Sequence, residues 1–161
     1  MTKRRQNIVT QHYPRIATSI LSPLVDVLAR ARDACDGDME KFLIMLVVAV
    51  RTTEHPEFRG ASQELLMSGE VAVFPSLGTN VRSIADSVGI PKETARRKLD
   101  ELIRKGWLVR EARDLRLTAR AYQDLTPVRE GLERLALKYS DLIDALFREV
   151  EEAKVDEVAG D

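Results

Sequence analysis

From Arg15 to Arg32, the apolar residues Ile16, Ile20, Leu24, Val27, Leu28 and Ala31 recur at the three- and four-residue intervals of one helix face. Pro23 interrupts the run, either as a kink or, with Ser22 as cap, in the first turn of a fresh helix. The pattern stops at "DACDGD". Asp38 is placed to cap a helix from Met39 to about Thr53. Its "FLIMLVVAV" core is apolar nearly all round, which predicts neighbours on most sides. Pro56 ends that helix. A short helical piece follows at Ser62–Met67, and Val71–Gly78 reads as a short strand or a loop. Asn80 caps "VRSIADSV", Gly89 breaks it, and a longer helix opens at Pro91 and runs to about Lys105, where Gly106 stops it. Trp107–Glu111 and Leu115–Thr118 alternate like two strands joined by "ARD". The last helix starts at Thr126, with Pro127 at its first position, and runs to about Glu152.

The middle of this pattern carries the chemistry. Across "VRSIADSVGIPKETARRKLDEL", Ile84 and Val88 share one face of the first helix, and Ala85 is small where a second helix must cross. Gly89 supplies the left-handed backbone of a tight corner, and Ile90 fills it. In the second helix Ala95, Leu99, Leu102 and Ile103 face inward. Lys92, Glu93, Arg96, Arg97 and Asp100 face out. That is a helix-turn-helix, and its second helix has the width of a DNA major groove. "KGWL" and the two short strands then read as a β-hairpin wing bearing Arg110, Arg113 and Arg116, placed to meet backbone phosphates or the minor groove. Glu93 either accepts from a cytosine amino group or pairs with Arg96 or Arg97 along the helix. The pair is the simpler expectation.

The stretch "IADSVGIPKETARRKLDELIRKGWL" resembles the winged helix-turn-helix of bacterial transcription regulators, and residue by residue the GntR-type motif. It shares the small residue followed by glycine, the Thr–x–Arg–Arg run and the closing Gly–Trp–Leu. That resemblance implies DNA contacts from Arg82, Lys92, Glu93, Thr94 and Arg96. Helices on both sides of a central winged region, and the passage "LRLTARAYQDL", are similar to the MarR family's layout. This second resemblance implies a homodimer and a small-molecule effector that shifts the spacing of the two recognition helices.

Charge sharpens the picture. The chain of 161 residues has a net charge of −1, which argues for no partner. Its distribution does. Residues 82–120 hold eleven basic and six acidic side chains; residues 121–161 hold five basic and eleven acidic. A one-signed patch on the helix-turn-helix and wing draws a polyanion to that face. Arg97, Arg110, Arg113 and Arg116 are assigned to phosphates, and Arg96 to a guanine edge. The basic "TKRR" at 2–5 is either an arm or a loose tail.

In the last helix Val128, Leu132, Leu135, Tyr139, Leu142 and Leu146 step by four, three, four, three and four, a heptad stripe that predicts a dimer interface together with Arg15–Arg32. Two recognition helices about one DNA turn apart, ~34 Å, would read a pseudo-palindromic operator in double-stranded DNA. Other functions find little support. His12 and His55 are the only histidines, and Glu54 and Glu57 beside His55 make a weak metal set. No phosphate-cradling glycine loop, nucleophile elbow or paired-carboxylate motif stands in the chain, so an enzyme and a cofactor are not expected. The one cysteine, Cys35, excludes an internal disulfide and fits a cytoplasmic protein. No apolar run is long enough to span a membrane.

The expected fold is therefore mainly α: a winged helix-turn-helix with a two-stranded β-hairpin wing and flanking N- and C-terminal dimerisation helices. Its parts are a flexible basic N-terminus (1–13), N-terminal helices (14–70), the winged region (71–120, recognition helix 91–105, wing 109–118), a C-terminal dimerisation helix (121–153) and a disordered acidic tail (154–161). The expected function is that of a sequence-specific, DNA-binding transcriptional regulator. The competing reading is a winged-helix interaction module that docks another protein.

Overall fold

A computed structural model describes residues 2–159. The protein is mainly helical, with one small two-stranded antiparallel sheet among the described residues. Two compact units divide it. One is Ala31–Pro127; the other joins the residues up to Arg30 with those from Val128.

In the Ala31–Pro127 unit, α2 (Met39–Thr53) starts where expected, its Asp38 cap accepting from the Lys41 backbone N–H at 3.2 Å. Phe42, Ile44, Met45 and Val48 are buried, but Leu43 and Val50 are 42% and 52% exposed, so the helix is covered on fewer sides than its composition predicted. His55 caps α3 (Pro56–Gly60) through Nδ1, which accepts from the Glu57 N–H at 3.3 Å. That is a backbone role, and no cluster of metal-ligating side chains occurs among the described residues. Ser62 caps α4 (Gln63–Ser68), and Asn80 caps α5 (Val81–Val88). The helix α6 (Lys92–Arg104) follows.

The strands β1 (Leu108–Glu111) and β2 (Asp114–Leu117) pair antiparallel, Leu108 opposite Leu117 and Arg110 opposite Leu115. β1 ends at Glu111 as expected but starts one residue later than the sequence reading, and β2 lies one residue earlier, because the turn is tighter: only Ala112 and Arg113 span it, with Ala112 at φ 53°. The unclear stretch Val71–Gly78 lies along β2. The Phe74 N–H donates to the Leu117 carbonyl (2.9 Å), and the Ala119 N–H to the Ala72 carbonyl (3.0 Å). A helix the pattern did not reveal, α7 (Ala119–Asp124), is capped by Thr118, whose hydroxyl accepts from the Ala121 N–H and donates to the Gly106 carbonyl. Trp107 is buried and its Nε1 donates to Asp124 Oδ2 at 2.8 Å, a core role.

The second unit pairs the greater part of two long helices, α1 (Thr2–Ala34) up to Arg30 and α8 (Thr126–Ala159) from Val128. Three contacts fix their sense. Arg15 pairs with Glu149 (Nη2–Oε2, 2.9 Å), Tyr139 Oη donates to the Ile20 carbonyl (2.9 Å), and Gly131 admits the side chains of Val27 and Arg30. Rising numbers in one helix meet falling numbers in the other, so they run antiparallel. α1 is one continuous helix through Pro14 and Pro23.

Residues 1–13 were expected to be flexible, yet α1 is helical from Thr2. The reason is tertiary. Ile8 is buried against Ile16 and Leu146, a partner more than a hundred residues away. Residues 154–159, expected in a disordered tail, continue α8; Gly160 and Asp161 lie outside the described residues. No described helix is long and apolar enough to cross a membrane.

Candidate nucleic-acid interface

The geometry begins at Gly89. Its φ of 75° is left-handed, and its N–H donates to the Ala85 carbonyl at 2.9 Å, followed by Ile90 N–H to the same carbonyl at 3.1 Å. Those two bonds close α5 and aim the chain into α6. A Cβ at Gly89 would meet nothing within 4 Å. Gly89→Ala should therefore carry only the backbone penalty of a left-handed L-residue, about 1 kcal/mol. A urea unfolding curve checks it; a loss of several kcal/mol would mean that the corner is crowded as well as left-handed.

On α6, Ala95, Leu99 and Leu102 are buried, as their spacing predicted. The outer face carries Glu93, Arg96, Arg97, Asp100 and Arg104, with Thr94 half-buried beside them and Lys92 exposed at the first turn. Arg104 was not among the expected contacts, although its spacing from Arg97 and Asp100 sets it on the same stripe; its Nε donates to the Asp100 carbonyl.

Five of the seven expected cations already face a carboxylate. Arg96 pairs with Glu93 (2.9 Å), Arg97 with Glu101 (3.3 Å) and Arg82 with Asp86 (3.9 Å). Arg110 meets Asp100 (3.9 Å) and Arg116 meets Glu111 (3.1 Å). Glu93 thus makes the helical pair that its spacing predicted. Lys92 and Arg113 have no ion pair among the described residues.

The hairpin arginines do not act as one set. Side chains alternate across a strand. The register puts Arg110 on the face of Leu108, Leu115 and Leu117, where it reaches α6, and Arg116 with Val109 on the other. Arg113 sits in the turn. Of the three, Arg110 is the one that an ion pair sets beside α6.

The local positive excess is also smaller than the count implies. Lys98 is 6% exposed and is hydrogen-bonded to Asp38, with Glu40 at 3.1 Å. Burial works against charge on both Lys98 and Asp38, but their hydrogen bond, with the neighbouring Glu40 and Lys41, outweighs it. The lysine is held above its ordinary value and the carboxyl below. Lys105 covers the Trp107 ring at 3.9 Å and donates to the Ala34 carbonyl and Asp36. Of the eleven cations, Lys98 is therefore committed to the interior, and Lys105, half-buried, to the Trp107 ring and the Ala34 carbonyl. Helical spacing contained the clue for Lys98, which lies between Ala95 and Leu102 on the inward arc; its acidic partners lie some sixty residues earlier and left no local mark. Cys35 is buried, and burial pushes its thiol up, away from the thiolate a reactive cysteine requires.

Of the expected dimer stripe, Val128 and Leu146 are buried within the chain, Leu135, Tyr139 and Leu142 are half-buried, and Leu132 is 40% exposed. Tyr139, Leu142 and Leu146 of that stripe meet α1. No protein-family model matches the chain, and no curated protein matches it significantly.

Proposed function

We propose that the chain is a regulator of transcription that binds duplex DNA, with α6 as recognition helix in the major groove and the β1–β2 hairpin as a wing on the backbone. One observation carries the reading: a helix seated by a glycine corner offers Lys92, Arg96, Arg97 and Arg104 on its open face, and the adjoining hairpin adds Arg110 and Arg113. The first turn of α6 also has free backbone N–H groups, which favour a phosphate. The GntR-like motif supports the same assignment.

The ion pairs are compatible with it on magnitude. Exposed pairs contribute about 0–1 kcal/mol. A bidentate arginine–guanine contact discriminates by about 1–3 kcal/mol. The Arg96 side chain is 61% exposed and that of Glu93 74%, so Glu93 holds the guanidinium loosely and can yield it to a base edge.

The test is a binding titration of the full chain against a duplex selected from a random pool and against its scrambled version, at several salt concentrations. Arg96→Ala should erase most of the preference for the selected duplex. Arg113→Ala should weaken both duplexes alike and lower the salt slope by about one. Identical behaviour of the two variants would refute this division of roles. No binding to any duplex at low salt would refute the reading itself and favour an interaction module.

A further inference from the structure

Arg97 stands on the open face of α6, but its ion pair leads back to α2. One turn further on, Glu101 has both carboxylate oxygens engaged, one by its own helix and one by another. Oε1 meets Arg97 Nη1 at 3.3 Å, and Oε2 meets Lys41 Nζ at 2.6 Å. Lys41 belongs to the first turn of α2. Its Nζ is also 3.9 Å from Asp38, which is hydrogen-bonded to Lys98. Lys98 in turn meets Glu40 at 3.1 Å. Charges therefore alternate in sign along the α2–α6 seam, in the order Arg97, Glu101, Lys41, Asp38, Lys98 and Glu40.

The two partners of Glu101 are unequal. The Lys41 side chain is 20% exposed and that of Arg97 66%, and Lys41 is the closer of the two. A shorter pair with less water around it is the stronger one. The Arg97 pair also has its cation N-terminal to its anion, the less favourable order on a helix. The carboxyl of Glu101 is held below its ordinary value, first by the hydrogen bond from Lys41. Burial opposes that shift, and the charges of Lys41, Arg97 and Arg104 add to it.

We infer that Lys41 is a positioning residue for DNA binding: by engaging Glu101 from α2, it leaves the Arg97 guanidinium free to turn to a phosphate. The inference rests on the DNA-binding reading of α6 and adds to that surface a residue outside the helix-turn-helix. A lone carboxylate one turn from a phosphate-binding arginine would oppose a duplex twice. It would repel the phosphate, and it would retain the cation. With its charge matched by Lys41, both effects shrink. Lys41 acts through Glu101, not by touching the duplex itself. The scale follows from exposed ion pairs, which shift an equilibrium by up to about fivefold.

The test is a titration of the full chain with a random-sequence duplex at low salt, run as a cycle of variants. Glu101→Gln should bind about three- to fivefold more tightly than the unaltered chain, a gain that misfolding cannot produce. Lys41→Met should bind more weakly by a similar factor, and Lys41→Arg should restore the affinity. Adding Lys41→Met to a Glu101→Gln chain should change nothing, and Glu101→Gln should give no gain in an Arg97→Ala chain. Net charge acting at a distance would give the same factor in every background, and that result would overturn the inference. Carbon-13 NMR of the Glu101 carboxyl, without DNA, gives an independent readout. In Lys41→Met that carboxyl should titrate closer to its ordinary value; an unmoved titration would also overturn the inference. If the unaltered chain binds no duplex, the DNA reading fails and takes the inference with it. If it binds and both single variants bind equally well, the inference fails alone.

Discussion

Leu99→Ala is expected to lower the stability of the Ala31–Pro127 unit by about 3–4 kcal/mol. Leu99 is fully buried, at 0% exposure, on the inward arc of α6, which packs against α2 and α5. Removing its branched end takes apolar surface out of the core and leaves a cavity lined by two other helices, neither of which can close it without moving its own buried side chains. The consequence reaches the proposed DNA surface, because the arginines of α6 are aimed only as well as the helix is seated. Denaturant unfolding followed by circular dichroism measures the loss as a lower midpoint at constant slope. A change under 1 kcal/mol would show that α6 is not anchored where the structure has it.

Lys98→Met should cost about 2 kcal/mol at neutral pH. Truncating one member of a buried pair costs about 3–5 kcal/mol. Here the figure is reduced because the Asp38 side chain is 26% exposed and that of Glu40 47%, so water shares in solvating the stranded carboxylates. The pH dependence separates a charge effect from a packing effect. The carboxyl of Asp38 is lowered in the folded protein, so its contribution is present above the ordinary carboxylate range near pH 4 and is lost as pH falls through the folded value. Lys98 is raised, so its contribution is present below the ordinary lysine value near 10.4 and is lost as pH rises through the folded value. The stability gap between the unaltered chain and Lys98→Met should therefore be widest between those limits and narrow in acid. A gap that stays constant from neutral pH down to pH ~3 would assign the loss to packing alone.

The two effects differ in how legible they were. Leu99 belongs to a helical period that is visible in a dozen residues, and so do the Asn80 cap, the Gly89 corner and the hairpin that follows Gly106. Lys98 lies on the same inward arc, but what makes a buried lysine tolerable is a cap residue and its neighbour on another helix. Asp38 was recognisable as a cap because capping is local; its bond to Lys98 was not. The arginines of the hairpin show the same limit. Their number was plain, yet the pleat and the register decide that Arg110 turns toward α6 while Arg116 turns away.

By itself, the sequence determined the bounds of α2, α4, α5 and α6 to about one residue, that a two-stranded hairpin follows Gly106, which residues of α5 and α6 point inward, and that cationic side chains crowd the outer face of α6. These follow from short-range rules: period, caps, left-handed glycines and turns. Tertiary structure alone decided that residues 2–13 are helical, that much of the heptad stripe of α8 is used on α1, that α7 exists, that Lys98 is buried and that Lys105 lies over Trp107. Each of these depends on a partner distant in the chain, and burial against such a partner outweighs the weak local preference that a sequence pattern records.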